Sequence, residues 1–305
     1  MFAAENRALD NFTFDTKMVR HFVLCGRECT MITNCKSVNY FKTKKICQLS
    51  NSTRVEDPQS FIEHEGSLYF DGYSETPGFS VMAAVEPPPR TSSCKKLLEA
   101  GYTASGVYTI YPSTSYTGGL PVYCDMELDG GGWIMLQRRI DGTVDFYEDW
   151  AHYQTGFGDL SGEFWLGNEQ MASLTSGGSW DLRVDLTDFD GTTAFAKYGA
   201  FGLTGANYYL SIGTYDASST AGDGLGYHRN RPFSTKDNDN DDFSSGSCAE
   251  ARNGGWWFGY CIHSHLNGEF YLDGSFRDND GIVWKQWHND LNPLQASSMK
   301  MRETE

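Results

Sequence analysis

The chain has 305 residues, of which 39% are hydrophobic and 14% aromatic, so it is long enough for two folded domains and is not of disordered composition. Its net charge is −16, and the acidic excess falls after residue 75. This charge disfavours nucleic acid and anionic membranes as partners, because both are bound mainly through Lys and Arg. The sequence has no run of about eighteen apolar residues, so no membrane-spanning helix is predicted.

Eight cysteines divide into a group of four and two pairs that are local in sequence. They are Cys25, Cys29, Cys35, Cys47, Cys94, Cys124, Cys248 and Cys261. Zinc or redox sites are the alternative, but the sequence has no Cys-x-x-Cys and no Cys/His spacing of the structural-zinc type. The even number therefore predicts disulfides and an extracellular location. The glycosylation acceptors Asn11-Phe12-Thr13 and Asn51-Ser52-Thr53 also favour secretion.

Residues 1–75 are predicted to form a small domain with one helix and short strands. Apolar residues at intervals of three and four predict a helix over residues 16–32. Segments 38–41 and 46–49 are typical of strands, and the basic residues 42–45 would form the turn between them.

The spacing of the first four cysteines is the second feature of this segment. Cys25 and Cys29 lie one helical turn apart, so both can reach cysteines in neighbouring strands. With the run Cys47-Gln48-Leu49-Ser50-Asn51-Ser52, residues 5–73 resemble PAN/apple domains; a generic small disulfide domain is the alternative. The resemblance implies the pairs Cys25–Cys47 and Cys29–Cys35.

Residues 76–93 contain Pro77-Gly78 and Pro87-Pro88-Pro89 and lack helix or strand spacing, which predicts an interdomain linker. Short alternating runs such as 180–186 and long Gly/Ser/Asn/Asp connections follow, and they favour a loop-rich α+β domain over residues 94–305. The sequence has no heptad or collagen-like repeat, so a homo-oligomer would have to assemble through globular surfaces.

Several motifs in fixed order between Cys94 and Met301 carry a second resemblance. They are Ser105-Gly106-Val107-Tyr108, Val122-Tyr123-Cys124-Asp125-Met126, Gly130-Gly131-Gly132-Trp133, Gln137-Arg138-Arg139, Glu163-Phe164-Trp165-Leu166-Gly167-Asn168, Trp256-Trp257 and Leu266-Asn267-Gly268. This region resembles the fibrinogen-related domains of fibrinogen chains, ficolins and tachylectins. The resemblance implies a central antiparallel sheet, the pairs Cys94–Cys124 and Cys248–Cys261, and a last subdomain that carries calcium and ligand.

The segment Asp237-Asn238-Asp239-Asn240-Asp241-Asp242 is the candidate calcium loop. Four carboxylates within six residues repel one another unless solvent or a hard cation screens them, and calcium accepts six to eight oxygen ligands. An EF-hand that starts at Asp237 is excluded, because its sixth and twelfth positions are not Gly and Glu. A solvated acidic loop is the alternative.

The resemblance implies which residues would bind the Ca²⁺ cofactor. Asp239 and Asp241 would give side-chain oxygens, and Phe243 and Ser245 would give backbone oxygens. One extra residue before Cys248, relative to the family's loops, leaves Gly246 as an alternative to Ser245.

In ficolin-like lectins an acetyl group binds beside the calcium loop, after a cis peptide bond that would here join Tyr260 to Cys261. The implied ligand contacts are Arg252, Trp256, Tyr260, Cys261, Ile262 and His263. Three positions depart from the family pattern, namely Arg252, Ile262 and Asn292. A guanidinium at Arg252 could pair with a carboxylate or sulfate, or could serve only solubility.

Two aromatic motifs in this region have structural alternatives. Trp256-Trp257 is more typical of a core than of a ligand platform. His263-Ser264-His265 could suggest a metal site, but a hydrogen-bonded loop is the simpler interpretation.

The leading functional hypothesis is a secreted calcium-dependent lectin that binds acetylated or anionic microbial glycans and agglutinates or opsonises through multivalent contact. The PAN-like domain would supply a second contact or an oligomerisation surface. The alternative is an adhesion or receptor-binding protein that uses the same surface for a protein partner. The sequence has no Gly-x-Ser-x-Gly, His-Glu-x-x-His or Walker motif, so an enzyme is not expected.

Overall fold

The computed structural model describes residues 2–19, 22–30, 32, 34–71, 89–112, 118–272 and 281–304. The chain forms two compact units, Met1–Val85 and Glu86–Glu305. Most of the predicted linker over 76–93 lies outside the described residues.

In the described residues, the N-terminal unit contains one α-helix, a short 3₁₀ turn at Pro58–Ser60 and a five-stranded antiparallel sheet of order β1-β5-β3-β4-β2. Its elements are β1 (Phe2–Leu9), β2 (Thr13–Met18), α1 (Phe22–Thr30), β3 (Ser37–Phe41), β4 (Ile46–Ser50) and β5 (Phe61–Asp71). Alternate residues of the central strands, Val38, Tyr40, Cys47 and Leu49, are buried and form a small core with Cys25 of the helix. The strands predicted at 38–41 and 46–49 are thus present, with their turn at 42–45.

The helix predicted over residues 16–32 is wrong in its first part. Thr16, Lys17 and Met18 belong to β2 and pair with Gln48, Cys47 and Ile46 of β4. Sheet pairing outweighs the apolar spacing here, and a β-branched residue such as Thr16 suits a strand. The helix itself begins at Phe22.

Two disulfides join the helix of this unit to the rest of its fold. They are Cys25–Cys47 and Cys29–Cys35, the pairs that the resemblance implies. Both predicted glycosylation acceptors are exposed at one end of the sheet, where Asn51 N donates to Phe12 O, one residue after Asn11, at 3.2 Å. Glycosylation of Asn11 and Asn51 stays a prediction.

The C-terminal unit is built on an eight-stranded antiparallel sheet. Strands β12-β11-β17-β8-β10-β9 form its main path, and β7 pairs with both β8 and β6. The bounds are β6 (Gly106–Ile110), β7 (Leu120–Asp125), β8 (Trp133–Arg139), β9 (Phe157–Gly158), β10 (Phe164–Trp165), β11 (Trp180–Thr187), β12 (Thr193–Tyr198) and β17 (Ala296–Glu303). Leu182, Val184 and Leu186 of β11 are buried at alternate positions, so one face of the sheet forms the core.

Short elements surround this sheet and carry the loops of the unit. They are α2 (Cys94–Glu99), α3 (Trp150–Thr155), α4 (Asn168–Thr175), β13 (Gly202–Thr204), β14 (Tyr209–Ser211), α5 (Cys248–Ala251), β15 (Ser264–His265), β16 (Val283–Trp284) and α6 (Lys285–His288). Strand β13 pairs with β14 and β15 with β16. The described helices are all too short or too polar to cross a membrane.

Candidate functional site

The acidic loop lies between β14 and α5 and is attached to the domain by its own side chains. Asp237 Oδ1 accepts hydrogen bonds from Trp150 N at 2.8 Å and Thr235 Oγ1 at 2.7 Å. Asn240 Nδ2 donates to Phe233 O at 2.9 Å. The loop is therefore held in a defined conformation by hydrogen bonds to the rest of the domain.

Asp239 and Asp241 form the part of the loop that could hold a cation. Asp241 accepts Phe243 N and Cys248 N, each at 2.7 Å, one on each carboxylate oxygen. Asp239 Oδ1 accepts Asp241 N at 3.1 Å, which brings the two carboxylates together. Burial raises the pKa of Asp241, and repulsion from Asp239 adds to the rise. A cation between them would remove this repulsion.

Asp239 and Asp241 offer only oxygen atoms as side-chain ligands, and hard cations such as calcium prefer oxygen to nitrogen or sulfur. Within the described residues, no three His, Cys, Asp or Glu side chains lie together in a way that could hold a metal ion. A cation here would need backbone carbonyls and water to complete its shell, which calcium accepts. Phe243 O accepts Gly246 N at 3.1 Å, and Ser245 is exposed within the same turn. Both stay predicted backbone ligands.

The loop is fixed to the predicted ligand-binding segment by a covalent and a hydrogen-bonded connection. Cys248 at the start of α5 forms a disulfide with Cys261. Asp242 N donates to Gly259 O at 3.2 Å. The other disulfide of this unit, Cys94–Cys124, joins α2 to β7. Both are the pairs that the resemblance implies.

The peptide bond between Tyr260 and Cys261 is trans, whereas the family pattern implies a cis bond at this point. For a residue pair without proline the trans form is favoured by about 3 kcal/mol, so it is the form expected in the absence of specific opposing contacts. This expectation from the sequence is therefore corrected.

An aromatic surface lies beside the disulfide. Tyr260 is 70% exposed and meets Phe243 edge to face, with ring centroids 5.3 Å apart. Tyr227 stacks on His263 at 4.2 Å, and its hydroxyl accepts Tyr260 N at 2.8 Å. Tyr227 and the ring of Phe243 were missed by the sequence analysis, because nothing in the linear pattern relates Tyr227 to a segment more than thirty residues away.

His228 supports this surface from below. It is completely buried; its Nδ1 pairs with Trp257 O at 2.7 Å, and its Nε2 accepts His263 N at 3.2 Å and Ser264 N at 3.0 Å. Burial lowers the pKa of His228 to about 3, so the ring is neutral and donates from Nδ1. The buried imidazole thus fixes the backbone at His263.

Of the predicted ligand contacts, Tyr260, Cys261, Ile262 and His263 are together at this surface and at least partly exposed. Trp256 is not available, since its side chain has no exposed area and packs against the rings of His228 and His265. Its prediction as a contact is corrected in favour of the core alternative.

Three other residues that the sequence analysis singled out, Arg252, His265 and Asn292, do not belong to the aromatic surface. Arg252 is half-buried at the C-terminal end of α5. His265 is buried and faces Phe258, while His263 stacks on Tyr227, so the two imidazoles do not act as a pair. Asn292 lines a cleft of about 520 Å³ with Asp188 and His288, none of which belongs to the aromatic surface.

The comparisons with known proteins agree with both resemblances. Residues 90–304 match the family described as fibrinogen beta and gamma chains, C-terminal globular domain, and residues 3–76 match the PAN domain family. Human ficolin-3 is 42% identical over 212 residues, which are 69% of this chain and 70% of that protein. Mouse fibrinogen C domain-containing protein 1 is 42% identical over 216 residues, and the match spans 68% of this chain but only 46% of that protein.

Solved structures give the same relationship. The fibrinogen-like globe domain of human ANGPTL6 superposes with a TM-score of 0.68 at 38% identity and covers 73% of this chain and 100% of that one. A lamprey fibrin D-dimer, complexed with the peptide ligand Gly-His-Arg-Pro-amide, has a TM-score of 0.64 at 35% identity over 76% of this chain and 80% of that one. The chain therefore belongs to the fibrinogen C-terminal globular domain family and carries a PAN domain at its N-terminal side.

Proposed function

We propose that this protein is secreted and binds glycans in a calcium-dependent way, as a recognition protein and not an enzyme. The observation that carries the proposal is the pair of adjacent carboxylates at Asp239 and Asp241, in a loop that the disulfide Cys248–Cys261 connects to an exposed aromatic surface. Calcium on these carboxylates would neutralise their repulsion and fix the position of Cys248, whose amide bonds to Asp241.

Four disulfides and two exposed glycosylation acceptors support secretion. Family membership supports a binding role, since ficolin-3 and the fibrinogen-like globe domain of ANGPTL6 are among the relatives of this chain. Microbial cell-surface glycans are the partner class that we propose, with acetylated sugars first.

The side chains around Cys261 suggest the chemistry of the ligand. Tyr260 offers an aromatic ring, and Ile262 offers an apolar side chain that suits the methyl of an acetyl group. Arg252 could pair with a carboxylate or sulfate. Because the domain is acidic overall, attraction for an anionic sugar would have to come from local positive charge, for which we propose calcium and Arg252.

Calcium titration of the chelator-treated protein, read by its melting temperature, tests the metal site first. Binding to an array of N-acetylated, sulfated and neutral sugars, with and without calcium, then tests the ligand class. We expect calcium-dependent capture that Asp239→Ala abolishes, with Asp216→Ala as the matched control at an exposed turn of the same unit. Binding that weakens steeply with salt would favour the anionic class.

A peptide partner is the second candidate, because the related lamprey fibrin structure contains the ligand Gly-His-Arg-Pro-amide. The positive charge of Arg252 would disfavour a cationic peptide terminus in this chain. A competition experiment separates the candidates: a labelled glycan bound to the protein is challenged with that peptide or with N-acetylglucosamine. Displacement by the peptide but not by N-acetylglucosamine would contradict the glycan proposal.

A further inference from the structure

Asp242, the last acidic residue of the calcium loop, is not directed at Asp239 and Asp241. Its carboxylate is paired with the guanidinium of Arg231. Arg231 in turn donates from Nε to Tyr227 O at 3.0 Å, and its Cζ lies 5.0 Å from the centroid of the Tyr227 ring. The loop is thereby connected to a tyrosine that lies 15 positions before Asp242 in the sequence.

Tyr227 continues this connection into the aromatic surface. Its hydroxyl accepts Tyr260 N at 2.8 Å, and its ring stacks on His263 at 4.2 Å. The two residues that it contacts flank Cys261 and Ile262, which are predicted ligand contacts.

Gly259 lets the two side chains approach this segment closely. A Cβ at Gly259 would lie 2.6 Å from Arg231 Cζ and 2.8 Å from the Tyr227 hydroxyl oxygen. Arg231 and Tyr227 therefore both pack against the backbone just before Tyr260. Any larger residue at 259 would displace them.

We infer that Tyr227 and Arg231 are positioning residues of the proposed binding site, which transmit the position of the calcium loop to the backbone of Tyr260. We call these two side chains the Tyr227–Arg231 bridge. The inference deepens the proposed function and rests on it for the role of calcium. The disulfide Cys248–Cys261 joins the same two segments covalently, whereas the bridge holds the Tyr260 amide through its hydrogen bond to the Tyr227 hydroxyl.

Hydrogen exchange of the Tyr260 amide, measured by NMR on the full chain, reports on the bridge without a ligand. Tyr227→Phe removes the acceptor, so exchange should accelerate about fivefold, the factor that corresponds to one ordinary hydrogen bond. Arg231→Met and Asp242→Asn should accelerate it as well. In the double variant Asp242→Asn/Tyr227→Phe, the Tyr260 amide should exchange little faster than in Tyr227→Phe alone, because both substitutions interrupt the same connection from the loop to Tyr260.

Controls separate positioning from general stability. Tyr209→Phe and Arg229→Met alter exposed residues outside the bridge and should leave exchange at Tyr260 unchanged. Exchange at Met299, in the core strand β17, should be the same in every variant. Acceleration at both Tyr260 and Met299 would mean only a less stable fold and would overturn the inference.

Calcium supplies the second arm of the test. In the unmodified protein calcium should slow exchange at Tyr260, whereas in Arg231→Met it should still raise the melting temperature but no longer slow this amide. Absence of any calcium effect on the unmodified protein would overturn the proposed metal site, yet the comparison of metal-free variants would still decide whether the bridge holds Tyr260. Unchanged Tyr260 exchange in Tyr227→Phe and Arg231→Met would overturn the bridge.

Discussion

At the scale of single residues, Asp239 and Asp241 have different structural roles although both lie in the acidic loop. Asp241 is partly buried and accepts two backbone amides, whereas Asp239 is exposed and accepts the amide of Asp241. Asp241 therefore has a structural role without calcium, and Asp239 contributes mainly charge.

This difference predicts unequal effects of two alanine variants. Asp241→Ala leaves Phe243 N and Cys248 N without their acceptor and should lower the free energy of unfolding by about 2 kcal/mol in metal-free protein. Asp239→Ala should change it by less than about 1 kcal/mol, since an exposed charge contributes little. Chemical denaturation in the presence of chelator measures both. Equal losses would contradict the assigned roles.

Buried neutral histidines predict a stability that falls in acid. Burial lowers the pKa of His228 to about 3 and that of His265 well below its ordinary value, while an unfolded histidine titrates near 6.5. Since the folded pKa is the lower one, the unfolded chain binds more protons below pH 6.5. The stability is complete above that pH and is lost as the pH falls.

His228 alone should account for a loss of about 2 kcal/mol of unfolding free energy between pH 7 and pH 5, and His265 should add a loss in the same direction. Denaturation curves of metal-free protein at these two pH values check this. Whatever the stability of the variant His228→Gln at pH 7, its loss of unfolding free energy between pH 7 and pH 5 should be smaller by the contribution of His228. An identical pH dependence in both proteins would contradict the neutral state of His228.

For single residues, the sequence was sufficient to identify the acidic loop, Cys248 after it and the exposed residues around Cys261. It could not find Tyr227 or Arg231, because only the fold brings them beside Gly259. It favoured a core role for the Trp256-Trp257 pair but could not remove Trp256 from the ligand contacts, since a tryptophan can serve in a core or in a binding surface.

At the scale of elements, the strands joined to the helix by a disulfide or next to it were predicted better than the two strands at the β1 side of the N-terminal sheet. Strands β3 and β4 alternate clearly, but β1 and β5 were not predicted. The first half of β5 has exposed polar residues on both faces and contains Gly66 at φ of 77°, so its sequence lacks strand periodicity. Its pairing with β1 and β3 decides the structure instead.

The disulfide that joins α5 to Cys261 predicts a stability effect of known size. Replacing Cys248 and Cys261 together by serine opens a loop with a sequence separation of 13 and should cost about 3 kcal/mol in the chain-entropy model. Calcium affinity should fall as well, because Cys248 N bonds to Asp241. Calorimetry on the double variant measures both quantities. Unchanged calcium affinity would show that the loop holds its shape without the disulfide.

At the scale of the whole molecule, a PAN domain is followed by a fibrinogen-like domain, as both resemblances implied. Motifs spread over two hundred residues made this level the most predictable, since family patterns record fold constraints that no local periodicity shows. The ligand was less predictable, because Arg252 and Ile262 depart from the family pattern at positions that were predicted to contact it.

Glycosylation is a whole-molecule prediction that does not depend on the ligand. Asn11 and Asn51 are exposed, so protein secreted from eukaryotic cells should carry a glycan on each. Intact mass before and after enzymatic deglycosylation should differ by two glycans, and by one in Asn11→Gln or Asn51→Gln. No mass change in the unmodified protein would contradict passage through a glycosylating pathway.

We propose that calcium at Asp239 and Asp241 makes the neighbouring aromatic surface competent to bind a sugar. The most direct measurement is glycan binding by the full chain at a series of calcium concentrations, with Asp239→Ala and Asp216→Ala in parallel. We predict capture of acetylated or acidic glycans that rises with calcium, is retained in Asp216→Ala and is lost in Asp239→Ala. Glycan binding that is equally strong in chelator, or equally strong in both variants, would contradict it.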